Sequence, residues 1–183
     1  MATRAVPHPL AQLPNLLTIA RLALIPVFAV LTLAAEGGHS WPAATVFAVA
    51  GVTDQVDGWL ARRWRVESEF GKVADPLADR LMIDTAVVLL WLADRLPWAA
   101  LAVIAARDLF LLGGYRLFVP RGYDVSVNLL GKLATWILYA SIGFVLVTHE
   151  TDRWPLWAFW GGLGLAVAAA LQYTGSLALR LRR

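Results

Sequence analysis

The chain has no cysteine among its 183 residues. That excludes a disulfide framework, a thiolate metal site and a thiol nucleophile. Charge is also scarce, at 16% of residues, where globular domains carry roughly a quarter. No internal repeat or low-complexity segment interrupts the sequence. The glycine-rich Gly161-Gly162-x-Gly164 follows no strand-like run, so it reads as a close-packing surface on a helix rather than a nucleotide loop. No clear small-x-small cleavage site follows the first apolar stretch, which argues against a secretory signal despite Arg4 and the prolines near the start. What remains is apolar: 59% hydrophobic residues and nine tryptophans, the composition of an integral membrane protein.

The apolar residues fall into six stretches, about 16–35, 41–61, 73–93, 97–118, 129–148 and 155–178, each near the ~20 residues that cross a bilayer as a helix. Turn-like breaks separate them, among them Glu36-Gly37-Gly38-His39-Ser40, Asp94-Arg95-Leu96-Pro97 and Pro120-Arg121-Gly122-Tyr123-Asp124. Lys and Arg gather on one side: Arg4, Arg62, Arg63, Arg65, Lys72, Arg116, Arg121, Lys132, Arg180, Arg182 and Arg183, against Arg95 and Arg153 on the other. The positive-inside rule then puts both termini in the cytoplasm. The expected fold is all-α, six transmembrane helices with a short interfacial segment before the first, in a single domain over 1–183. Most tryptophans fall near span ends, as an aromatic belt does.

The polar exception runs from Thr53 to Arg80 and holds Asp54, Asp57, Asp75 and Asp79. On a helix, Asp54, Asp57 and Ala61 share one flank, as do Gly58 and Arg62; Gly71, Asp75 and Asp79 share a flank of the next helix. A short arginine-rich connection makes the two helices antiparallel neighbours, so the carboxylates converge at one depth near the cytoplasmic face. Four like charges there repel unless cations sit among them. Oxygen-only donors favour Mg²⁺ or Mn²⁺ over zinc, with Ca²⁺ also open, and two such ions form a clamp suited to displacement at phosphorus. The alternative is structural, with the aspartates ion-paired to Arg62, Lys72 and Arg80 as a lock between helices.

The pattern Asp54-x2-Asp57-Gly58-x2-Ala61-Arg62-x8-Gly71-x3-Asp75-x3-Asp79 resembles, without gap or substitution, the signature of the CDP-alcohol phosphatidyltransferases. The resemblance implies a six-helix membrane enzyme, often a homodimer, that transfers a phosphatidyl group from CDP-diacylglycerol to an alcohol and releases CMP. It implies that Asp54, Asp57, Asp75 and Asp79 bind two divalent ions, Mg²⁺ or Mn²⁺, that grip the diphosphate, with Asp79 also the general base. Gly58, Ala61 and Gly71 would give room for the cytidine and Arg62 would help hold the nucleotide. The expected place is the cell membrane with the active site facing the cytoplasm. The lipid bilayer is a partner and nucleic acid is not.

Ionisable residues at membrane depth are functional candidates by default. Arg107, Arg116 and Lys132 read as a cationic pocket for an anionic acceptor; alternatively Arg21, Asp84, Arg107 and Asp108 pair with one another as interhelical ties. Pro14-Asn15-Leu16-Leu17-Thr18-x2-Arg21 and Phe70-Gly71-Lys72 look like the phosphatidylglycerophosphate synthases and the transferase-type cardiolipin synthases. Arg107-Asp108 and Gly131-Lys132-Leu133-Ala134-Thr135 depart from the first group's Arg-Glu and Gly-Lys-x-Lys-Thr, toward the second. The ranking of acceptors is glycerol 3-phosphate, then phosphatidylglycerol, then an inositol phosphate. Two rivals lie outside the family. A membrane prenyltransferase lacks the Gly-x2-Ala-Arg spacing, and a cation transporter leaves Arg62 and Gly71 unexplained.

Overall fold

Gly37 and Gly38 sit at the tip of the first helical hairpin with φ of 58° and 67°, left-handed backbone that costs glycine nothing because it has no Cβ. They belong to a short 3₁₀ turn, Glu36–Gly38, between α1 (Leu13–Leu33) and α2 (Trp41–Trp64). Ser40 then starts α2 by accepting the Ala43 N–H on its Oγ at 3.1 Å, satisfying one of the helix's orphan donors. This computed structural model describes residues 13–64, 69–118 and 129–181. The expected interfacial segment at the N-terminus and the turn around Gly122 lie outside them. All the described elements are helical: α3 (Glu69–Leu92), α4 (Trp98–Phe118), α5 (Leu129–Val147) and α6 (Trp154–Leu181) follow the first two. Their bounds match the six apolar stretches to within four residues.

The chain divides into two compact units, residues 1–89 and 90–183. In the first, Thr18, Arg21, Ile25, Phe28 and Thr32 recur at alternating spacings of three and four along α1, the repeat that keeps one seam facing a partner helix. Thr18, Arg21, Phe28 and Thr32 are buried, and α2 answers with buried Ala43, Phe47 and Ala50. Small alanines let the helices approach, and Phe28 and Phe47 meet with ring centroids 5.5 Å apart. The Thr32 hydroxyl, buried in the seam, is satisfied by donating to the Phe28 carbonyl at 2.9 Å.

In the second unit α5 and α6 pack along their lengths and α4 lies against α6. Ala134, Leu138, Ile142 and Val145 of α5 and Phe159, Leu163, Ala166 and Ala170 of α6 are buried. At Gly162 the helices approach closely: a Cβ there would stand 2.9 Å from Ile137 Cγ2 and 3.2 Å from the Leu138 backbone nitrogen. Gly161 and Gly164 have nothing within 4 Å of such an atom, so of the three expected packing glycines only Gly162 packs closely in this unit. The turn after α3 is held by Arg95, a buried guanidinium that donates to the carbonyls of Val145 and Thr148, both at 2.7 Å. A cation at a helix C-terminus also complements the macrodipole. Burial lowers the Arg95 pKa, and the nearby Glu150 carboxylate works in the other direction.

Among the described residues, three stretches are long and apolar enough to cross a membrane: Asn15–Leu33, Leu129–Val147 and Trp154–Gln172. The helices α2, α3 and α4 carry most of the charged candidates singled out from sequence, Asp54, Asp57, Asp75, Asp79, Asp84, Arg107 and Asp108.

Candidate active site

Asp54 lies on α2 seven residues beyond Phe47, and Arg21 lies on α1 seven residues before Phe28. Seven residues is two helical turns, and in an antiparallel hairpin the steps run toward the same end. The ring pair therefore fixes the ion pair: Arg21 Nη1 stands 2.5 Å from Asp54 Oδ1. The Arg21 side chain has no exposure and that of Asp54 has 23%. The contact is an ion pair between the buried guanidinium and the motif's first carboxylate. Gln55 turns its amide to the other oxygen, Asp54 Oδ2, at 3.4 Å. Thr53, just before, spends its hydroxyl on the carbonyls of Val49 and Ala50, each at 2.9 Å.

Gly58 follows Asp54 by one turn and is half-buried. Asp79 is half-buried on α3, one residue after the fully buried Ala78 and three before the fully buried Met82. The apolar side of α3 thus faces protein while the aspartate keeps some exposure. The backbones at Asp57, Ala61, Arg62, Gly71 and Asp75 are helical, and their side chains lie outside the described set. Among the described residues no three carboxylate or imidazole side chains gather as a metal group; two of the four motif aspartates, Asp54 and Asp79, belong to that set.

Of the three expected acceptor residues, Arg107 and Lys132 are described and Arg116's side chain is not. Arg107 is half-buried on α4, with Nη1 3.4 Å from Oδ1 of its neighbour Asp108. Neighbours on a helix point about 100° apart, which explains the long contact. It joins two residues of one helix, not two helices as the tie reading required. Arg107 Nε and Asp108 Oδ1 make no hydrogen bond among the described residues. Lys132 is exposed near the start of α5, one residue after Gly131, whose carbonyl accepts from Thr135 Oγ1 at 3.1 Å.

Sequence reasoning missed the partner of Asp54. The signal was present: residues equidistant from the Gly37-Gly38 tip face each other across a helical hairpin, and Arg21 and Asp54 are such a pair.

The profile of the CDP-alcohol phosphatidyltransferase family matches residues 11–170. The chain belongs to this family. It is therefore an enzyme, a phosphatidyltransferase. It is 35% identical over 166 residues to the CDP-diacylglycerol–glycerol-3-phosphate 3-phosphatidyltransferase of Bacillus subtilis strain 168, covering 80% of this chain and 86% of that protein. Against the Escherichia coli K12 protein of the same name it is 31% identical over 164 residues, 87% of each chain. It is 38% identical over 173 residues to a CMP-forming cardiolipin synthase of Streptomyces coelicolor, covering 87% of this chain and 80% of that one. The motif, the charged α2 and α3 and the apolar helices are what this phosphatidyltransferase brings to phospholipid synthesis at a membrane.

Proposed function

We propose that the chain transfers the phosphatidyl group of CDP-diacylglycerol to glycerol 3-phosphate and releases CMP. The carrying observation is the unbroken motif from Asp54 to Asp79, with Asp54 paired to a buried arginine. Its relatives from B. subtilis and E. coli bear this activity in their names. A second reading, with phosphatidylglycerol as acceptor and cardiolipin as product, has the S. coelicolor relative and Arg107-Asp108 in its favour.

The donor set suits a hard divalent cation. It is carboxylate oxygen throughout, and at Asp54 a cation is already accommodated at hydrogen-bond distance. Asp54, Asp57, Asp75 and Asp79 would hold two ions, Mg²⁺ or Mn²⁺. When bound, such ions supply neutralisation of the diphosphate and of the departing CMP. Gly58, Ala61 and Gly71 leave room for the cytidine, and Arg62 holds the nucleotide. Arg107, with Nε uncommitted, binds the acceptor's phosphate together with Arg116 and Lys132. The acceptor oxygen bonds to the phosphatidyl phosphorus as the bond to CMP breaks. Asp79 takes the hydroxyl proton, and CMP leaves with the electron pair. That role requires Asp79 to be at most loosely held by the ions, because a metal lowers a carboxylate's proton affinity.

All six helices span the cell membrane in this reading, in one domain over 1–183, with both termini and the motif on the cytoplasmic side. The lysine and arginine bias supports it. So do Trp41, Trp98 and Trp154, exposed first residues of the alternate helices α2, α4 and α6, as anchors at the opposite interface. A homodimer is the expected assembly. The test of function is CMP release by purified protein with CDP-diacylglycerol, Mg²⁺ and each acceptor offered separately. Release with glycerol 3-phosphate alone supports the first reading, and release with phosphatidylglycerol alone replaces it with the second.

A further inference from the structure

We infer that Arg21 is a resident counter-cation of the acidic motif, a positioning residue that offsets the charge of Asp54 and aims its carboxylate while no divalent ion is bound. The inference rests on the metal-binding reading of the motif and goes beyond it, since Arg21 lies on α1, outside the motif.

Three observations carry it. The Arg21 side chain is wholly buried, yet it lies in the α1–α2 seam at the polar end, next in the repeat to buried Thr18 and two turns from Phe28. An arginine there costs desolvation that an apolar residue would avoid. Its Nη1 contacts a carboxylate of the motif directly, Asp54 Oδ1 at 2.5 Å. That carboxylate belongs to a set of four on two consecutive helices, and like charges held partly away from water repel one another unless a cation is present. Divalent ions meet that need only while bound. A guanidinium, always charged and less strongly hydrated than an ammonium, meets it permanently.

A tie that merely joins α1 to α2 would stabilise the protein to the same extent with and without metal. A counter-cation would matter most when metal is absent. The two roles therefore separate in thermal melts of detergent-purified protein in EDTA and in excess Mg²⁺. For Arg21→Met, Tm in EDTA is expected to fall well below wild type while Tm in Mg²⁺ falls much less. The Mg²⁺-induced rise should then grow to roughly twice that of wild type, because ligand binding adds most to the form left least satisfied. Arg21→Lys, which keeps the charge, should stay near the wild-type rise. Phe28→Ala, which weakens the same seam without touching charge, should lower both melts together. If Arg21→Met does not fold, Arg21→Gln carries the same comparison. An equal fall for the Arg21 variant in EDTA and in Mg²⁺ would overturn the inference and leave the metal reading standing. No Mg²⁺-induced rise in wild type would overturn both.

Discussion

Arg21 meets Asp54 at 2.5 Å across the first helical hairpin, two turns from the Phe28–Phe47 ring pair on both helices. The first aspartate of the motif is thereby anchored to a helix that contributes nothing to the motif itself. Packing fixes the register through the rings, and the register delivers the cation to the carboxylate.

Asp57→Asn and Asp75→Asn are each expected to abolish CMP release while the protein still inserts and elutes as wild type. Amides are isosteric with the carboxylates but carry no charge to hold a divalent ion. Turnover near the wild-type rate in either variant would remove the ion-clamp assignment. CMP release and size-exclusion profiles read both halves of the prediction.

Much of this was legible beforehand. Apolar stretches of about the bilayer's length gave the six helices, and the breaks at Gly37-Gly38 and Asp94-Arg95 fell where the chain turns. Pairing of charges was less legible, because it depends on which helix faces are brought together. The tie drawn among Arg21, Asp84, Arg107 and Asp108 treated these residues by depth alone. Depth does not say that Arg107 meets its own neighbour, nor that Arg21 stands opposite Asp54. Gly162 shows the same limit from the other direction. Three glycines looked equivalent, and only the one turned toward Ile137 is packed.

Arg107→Ala should raise the KM for the acceptor by about tenfold or more and leave the donor's KM within about twofold. The estimate follows from losing one charge-assisted hydrogen bond, about 1.5–3 kcal/mol. Steady-state kinetics varying each substrate separately decide it. An unchanged acceptor KM would return Arg107 to a structural role.

Gly162→Val should destabilise the α5–α6 pair by about 1–3 kcal/mol, the usual cost of overpacking. The stiff β-branched Ile137 and the Leu138 backbone stand where the new atoms would go. Gly164→Ala is the control: with open space at its Cβ it should be neutral or stabilise by up to about 1 kcal/mol through helix propensity. Thermal melts in detergent compare the two.

The absence of cysteine makes orientation directly measurable. Thr151→Cys should react with an impermeant maleimide on intact cells, and Ser68→Cys only after the membrane is opened. These expectations follow from the positive-inside arrangement. Labelling of Ser68→Cys in intact cells would invert the proposed topology.

The most direct test of the proposed reaction is product analysis by purified protein supplied with CDP-diacylglycerol, glycerol 3-phosphate and Mg²⁺. The expected result is phosphatidylglycerophosphate formed in equal amount to CMP, lost in EDTA and lost in Asp57→Asn. CMP formed with phosphatidylglycerol but not with glycerol 3-phosphate would contradict the proposed acceptor, and no CMP with any acceptor would contradict the proposed reaction.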